Sequence, residues 1–153
     1  MRADIPINDL SATQLLEDWA WLLPKPHELI ALNKFGDMFL RNEAGEICFL
    51  SLATGQLNKL AGSAAEFQQL SADRVNQEKW FLLKLLTELE RAETKIAHGQ
   101  CFGFKKPPSL GGDVEVSNIE VSPLYAYVSL MGQIHQQVNG FPPGTKITGV
   151  KIE

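Results

Sequence analysis

Among its 153 residues the sequence has only two cysteines, Cys48 and Cys101, and three histidines, His27, His98 and His135, all widely separated. Neither C-x-x-C nor H-x₃₋₅-H occurs, so the ligand spacing of a zinc site is missing and no metal is expected. Apolar runs such as Trp80-Phe81-Leu82-Leu83 fall far short of the ~20 residues that cross a bilayer. The N-terminus, Met1-Arg2-Ala3-Asp4-Ile5-Pro6, has no apolar run after a basic start. A cleaved signal peptide is therefore not expected, and the cytoplasm is the expected compartment, with both cysteines reduced. The glycine-centred loops Phe35-Gly36-Asp37 and Leu110-Gly111-Gly112-Asp113 fit neither phosphate-cradling pattern, and serine has no G-x-S-x-G elbow. No carboxylate pair is spaced for glycosidase or protease work. No catalytic residue and no cofactor is expected. A charge of one sign is lacking too: 14 Lys and Arg stand against 18 Asp and Glu, a net charge of −4, which opposes sequence-independent binding to nucleic acid.

What is present is ordinary globular composition, with 44% hydrophobic and 21% charged residues. A chain of this length buries about 70% of its unfolded surface, enough for a core without disulfide staples. The expectation is one domain over residues 1–153, with 1–34 an N-terminal helix and lead-in strand.

Local patterns give the elements. Ser11-Ala12-Thr13-Gln14 is a capping box, and Leu15, Trp19, Leu22 and Leu23 follow near the helical period until Pro24 and Pro26 stop it. Residues 29–60 carry short apolar runs cut by Gly36, Asn42-Glu43-Ala44-Gly45 and Ala53-Thr54-Gly55-Gln56, an antiparallel meander of three or four strands. Both faces of 46–52 look buried, since Ile47 and Phe49 alternate with Cys48 and Leu50. Ser63-Ala64-Ala65-Glu66 opens a short helix. A longer helix follows from Ala72 or Val75, with Trp80 at its start, Leu82, Leu85, Leu86, Leu89 and Ala92 inward, and Gly99 as its latest terminator. Residues 100–114 read as an ordered loop with strand-like ends. Val114, Val116, Ile119 and Val121 form a strand, and Ser122-Pro123 caps a helix through Leu124, Tyr127, Val128, Met131, Ile134 and Val138. Thr145 to Ile152 alternates as a final edge strand. Clustered strands and segregated helices predict an α+β fold, an antiparallel sheet of several short strands with helices packed against it.

Several residues qualify for surface chemistry. Residues 1–50 hold four basic against eight acidic residues, 51–110 eight against six, and 111–153 two against four. The acidic excess at the N-terminus, Glu17 and Asp18 included, suits a basic protein partner. On a helical wheel Trp21 points about 200° from Trp19, so the two cannot share a core; an exposed Trp21 is a binding anchor, and burial beneath a neighbouring loop is the competing reading. Lys105 and Lys106, between Phe104 and two prolines, and Asp113 mark a second candidate surface, a loop. Cys101 with a histidine is the one nucleophilic pair the composition allows. Beside a strand, however, a small buried hydrophobe is the commoner role for cysteine.

Phe35-Gly36-Asp37-Met38-Phe39-Leu40, the turns at Gly45 and Gly55, Cys101-Phe102-Gly103-Phe104 leading through Pro107 or Pro108 to Leu110-Gly111-Gly112, and the helix around Tyr125–Gln136 form a constellation. With these residues the stretch from Phe35 to about Gln137 resembles the C-terminal domain of the immunity proteins that accompany type VI secretion DNase toxins. That domain often follows a GAD-like domain, and only 34 residues precede the F-G-D signal here. The wider group is similar to the SUKH-like immunity and cell-wall-regulator superfamily of α+β binding domains. The resemblance implies a non-enzymatic, cytoplasmic binding protein without cofactor or metal. Its partner would be a cognate protein toxin, a nuclease by that likeness, and the alternative is a SUKH-like regulatory adaptor of another protein.

Overall fold

The computed structural model describes residues 2–141, 147 and 149–152. Four strands, β1 (Glu28–Leu32), β2 (Met38–Arg41), β3 (Ile47–Ser51) and β4 (Gln56–Ala61), pair antiparallel in chain order. This is the expected meander. Its register opposes Leu40 to Cys48 and Phe49 to Asn58, so successive side chains leave on opposite faces and both faces must be covered. One face sends Leu32, Met38, Leu40 and Leu50 into a core shared with Leu15, Trp19 and Leu23 and with the C-terminal helix. The other carries an aromatic cluster in which Phe39 meets Phe49 at 5.0 Å, Phe81 at 5.4 Å, Phe67 at 5.6 Å and Trp80 at 5.8 Å between ring centres. The sheet is thus a middle layer.

Helix α1 spans Ala12–Leu15, with the Ser11 hydroxyl accepting from the Gln14 N–H as the capping box requires. The expected continuation to Leu23 is not α-helical. The chain turns through a 3₁₀ segment, Glu17–Trp19, and then turns again, so that Trp19 donates its indole N–H to the Val128 carbonyl at 2.9 Å. The other capping serine behaves as read: Ser63 caps α2 (Ala64–Ser71), its hydroxyl accepting from Glu66 N–H.

The single long helix expected next is two. Helix α3 covers Arg74–Phe81 behind an Asp73 cap, α4 covers Leu83–Arg91, and Leu82 between them is left-handed at φ +49°. The reason is that the stretch serves two cores. Trp80 packs on the aromatic face of the meander, whereas Leu85, Leu86 and Leu89 pack with Phe35, Phe102, Phe104 and Ile119. No straight helix reaches both. Ala92, expected inward, is exposed beyond the end of α4.

Strand β5 (Gln100–Phe104) pairs antiparallel with β6 (Ile119–Pro123), forming a second small sheet tied to the meander where the Phe102 N–H donates to the Lys34 carbonyl. The strand expected from Val114 begins later, because Val116–Asn118 is a 3₁₀ turn. The helix cap also moves by one residue: Pro123 stands at the N-cap of α5 (Leu124–Val138), and the Leu124 N–H is satisfied by the Gly99 carbonyl at 2.9 Å instead of by a serine. Leu124, Tyr127, Val128, Met131 and Ile134 are buried as expected. Of the strand expected over Thr145–Ile152, residues 145, 146 and 148 lie outside the described residues, and 147 and 149–152 are not in strand.

Candidate functional site

Buried polar groups come first, because they are where chemistry hides. Between β1 and β2, Asn33 Oδ1 accepts from the N–H groups of Phe35 (2.9 Å) and Asp37 (3.0 Å), while its Nδ2 donates to Asp37 Oδ2 and to the Trp80 carbonyl, both at 2.9 Å. Asp37 Oδ1 accepts from the Leu52 N–H at 2.8 Å, and the Leu52 carbonyl in turn lies 2.7 Å from His135 Nε2. Burial pushes the Asp37 carboxyl up to about 6 against the pull of those two donors, and pushes the His135 imidazole down. Every hydrogen bond here closes onto the fold itself. The cluster fastens two hairpins and α5 together, and the F-G-D signal is its sequence trace.

Cys101 is fully buried in the main core, and desolvation followed by the charge of Asp37 pushes its thiol up to about 12, so no thiolate forms at neutral pH. His98 instead meets Asp9, 3.0 Å away on the surface. Among the described residues no three of His, Cys, Asp and Glu gather as metal ligands. Among the described residues no helix is long and apolar enough to cross a membrane.

The residues singled out for partner binding fall in two places. Glu17 is exposed. Asp18 accepts a hydrogen bond from the Ser129 hydroxyl, and Trp21 stacks on Trp19 with ring centres 5.9 Å apart while its N–H donates to the Gly132 carbonyl at 3.2 Å. The wheel argument fails for Trp21 because the α-helix ends at Leu15. Beyond that point 100° per residue no longer describes the chain, and the two indoles lie side by side on α5. Trp21 is a half-buried packing residue and not a free anchor. Lys105, Lys106 and Asp113 are exposed on the β5–β6 loop. Asn118 holds that loop: its Nδ2 donates to the carbonyls of Lys106 (2.9 Å) and Asp113 (2.8 Å), and its Oδ1 accepts from the Lys106 N–H (3.0 Å). A Cβ on Gly112 would stand 1.9 Å from the Lys106 carbonyl oxygen, so only glycine fits there. No hydrogen bond or ion pair among the described residues joins this loop to Glu17, Asp18 or Trp21.

A surface the sequence did not disclose lies beside the loop. Two concavities of about 510 and 400 Å³ share Lys79, Leu82 and Val114. The larger runs along Val75 and Lys79 of α3 and Lys84, Leu85 and Glu88 of α4. The smaller reaches Phe49, Leu60, Trp80 and Phe104, with Lys59 on its lip. Val75 and Val114 are 70% and 53% exposed, apolar surface that the fold leaves uncovered. Leu82, the left-handed residue of the elbow, lies in both, and strained backbone of this kind costs of order 1–3 kcal/mol and collects at functional sites. The signal was in the sequence: four consecutive apolar residues, Trp80 to Leu83, span about 300° of a helix and cannot share one buried face.

Residues 61–135 match a family described as T6SS immunity protein Tdi1, C-terminal. This segment is similar to that type VI secretion immunity family. No curated protein sequence matches the chain. The matched segment runs from the last residue of β4 to the penultimate turn of α5, and it contains α3, the elbow, α4 and the β5–β6 loop. Within it the C-F-G-F signal is structural. Phe102 and Phe104 fill one core and Cys101 the other, and a side chain on Gly103 would collide with the Tyr127 ring at 2.8 Å. Tyr127 uses that space to place its hydroxyl 3.1 Å from the Phe104 N–H, which donates to it. The F-G-D hairpin lies outside the matched residues.

Proposed function

We propose that the protein is a non-enzymatic immunity protein that binds a cognate secreted toxin, a nuclease, and occludes its working surface in the cytoplasm, where such a toxin would meet DNA. The match of residues 61–135 to the type VI immunity family carries this reading. Its physical support is a rigid, doubly covered sheet presenting an uncovered apolar groove, a preformed surface that spends little ordering entropy on association. An interface of standard size buries about 1,600 Å² in total. In this reading the exposed Lys105, Lys106 and Asp113, on the loop that also carries Val114, supply charges that tune association rate and specificity, and Glu17 and Asp18 offer acidic surface elsewhere.

Co-expression with the toxin encoded beside this gene tests the reading. Survival of cells that otherwise die, together with a complex on gel filtration, is the expected result. Unchanged killing with no complex overturns it.

A further inference from the structure

We propose that the groove at the α3–α4 elbow is the toxin-docking surface, and that it takes an acidic amphipathic segment of the toxin: two neighbouring apolar side chains, one per concavity, flanked by a carboxylate that meets Lys79. This rests on the immunity reading above and adds to it which surface binds and what chemistry it selects.

Three observations converge. The two concavities are contiguous through Leu82 and Val114, so two anchors from one segment can be seated together. Their walls are Leu82, Leu85, Trp80 and Phe104, with Val75 and Val114 as exposed lips. Apolar anchors in such a pocket supply most of the energy of a protein interface.

Charge fixes the remaining requirement. Of the charged side chains around the groove, Lys59 is paired with Glu46 at 2.6 Å and Glu78 with Arg74 at 3.7 Å. Lys84 and Glu88, opposite charges four apart on α4, line only the larger concavity and cancel in its net charge. Asp37, at the base of the smaller concavity, is buried and has both carboxylate oxygens committed to donors within the fold. Lys79 is left over. It lines both concavities and makes no ion pair among the described residues. A segment burying apolar side chains beside an unpaired ammonium gains by bringing a carboxylate and loses by bringing a second cation.

The experiment is equilibrium binding, by calorimetry, of the toxin encoded beside this gene to the wild-type chain, to Val114→Asp, to Lys79→Glu and to the control Glu43→Lys on the distant β2–β3 turn. All three positions are exposed in the free protein, and unchanged thermal unfolding checks that each variant folds. Val114→Asp and Lys79→Glu are each expected to weaken binding about tenfold or more, with Glu43→Lys unchanged. Replacing toxin acidic residues by Lys one at a time is expected to yield one variant that binds Lys79→Glu better than it binds wild type. Wild-type binding that neither groove variant alters by more than about threefold overturns the groove while leaving the immunity reading intact. A toxin that fails to bind the wild type overturns both. A wild-type dimer on gel filtration that Val114→Asp disperses assigns the groove to a second copy of this chain and overturns the proposal.

Discussion

Leu52 has its N–H on the buried Asp37 carboxylate and its carbonyl on His135, so one residue of the β3–β4 turn connects the first hairpin to α5. The two side chains titrate in opposite senses. Burial raises the Asp37 carboxyl from 3.8 to about 6, so the folded state holds that proton more tightly than the unfolded chain. Its contribution to stability is therefore greatest at low pH and declines as pH rises from about 4 to about 6. His135 has its pKa depressed by burial, and it costs stability as pH falls through the ordinary imidazole range. Asp37→Asn removes the first titration and keeps the second. Asn33 cannot rotate to accommodate it, since its carbonyl already accepts from two N–H groups. The stability advantage of wild type over Asp37→Asn should grow by up to about 3 kcal/mol between pH 7 and pH 4, measured by urea unfolding. A difference that is flat with pH contradicts the assignment.

Helix α5 is seated by a short N-terminal segment that is hardly helical. Trp19 and Trp21 donate to carbonyls of Val128 and Gly132, one turn apart, and Asp18 takes the Ser129 hydroxyl. Close approach at Gly132 makes this possible, because a Cβ there would stand 2.6 Å from the Asp18 carbonyl oxygen and 3.0 Å from Trp19 Nε1. In an exposed helix Gly→Ala stabilises by about 1 kcal/mol. Gly132→Ala should instead destabilise, by roughly 1–3 kcal/mol from overpacking, and thermal unfolding reads the sign. A stabilised variant would show that the segment does not sit on α5 as described. On the neighbouring element, Gly112→Ala should loosen the Asn118-held loop while leaving both cores intact, seen as faster amide exchange confined to residues 105–118. Exchange unchanged in that stretch would mean the loop does not depend on the close approach.

The same elements mark how far sequence reading goes. The meander, the two serine caps and the inward stripe of α5 were legible, because turn residues, capping boxes and periodicity are local. The elbow at Leu82, to which only the apolar run Trp80–Leu83 points, the break after Leu15 and the late start of β6 were not. Each is set by a partner distant in sequence: two cores competing for one helix, carbonyls on α5 more than a hundred residues away, and a loop held by Asn118. Of the candidate surface, the loop with Lys105, Lys106 and Asp113 could be placed beforehand. The groove could not, since Val75, Lys79 and Val114 come together only once the helix bends.

At the scale of the whole molecule, the three glycine-containing signals singled out in the sequence describe scaffolding. F-G-D builds the hairpin that holds Leu52, C-F-G-F divides its residues between two cores and makes room for Tyr127, and L-G-G permits the approach to Lys106. They account for the fold, while Val75, Lys79 and Val114, outside all three signals, line the uncovered surface. The most direct test of the central claim, inhibition by binding, is a titration of the neighbouring toxin's nuclease activity with purified wild-type protein. The account predicts activity falling linearly to zero at a fixed stoichiometric ratio, with no consumption of the inhibitor. Full nuclease activity at a large molar excess would contradict it.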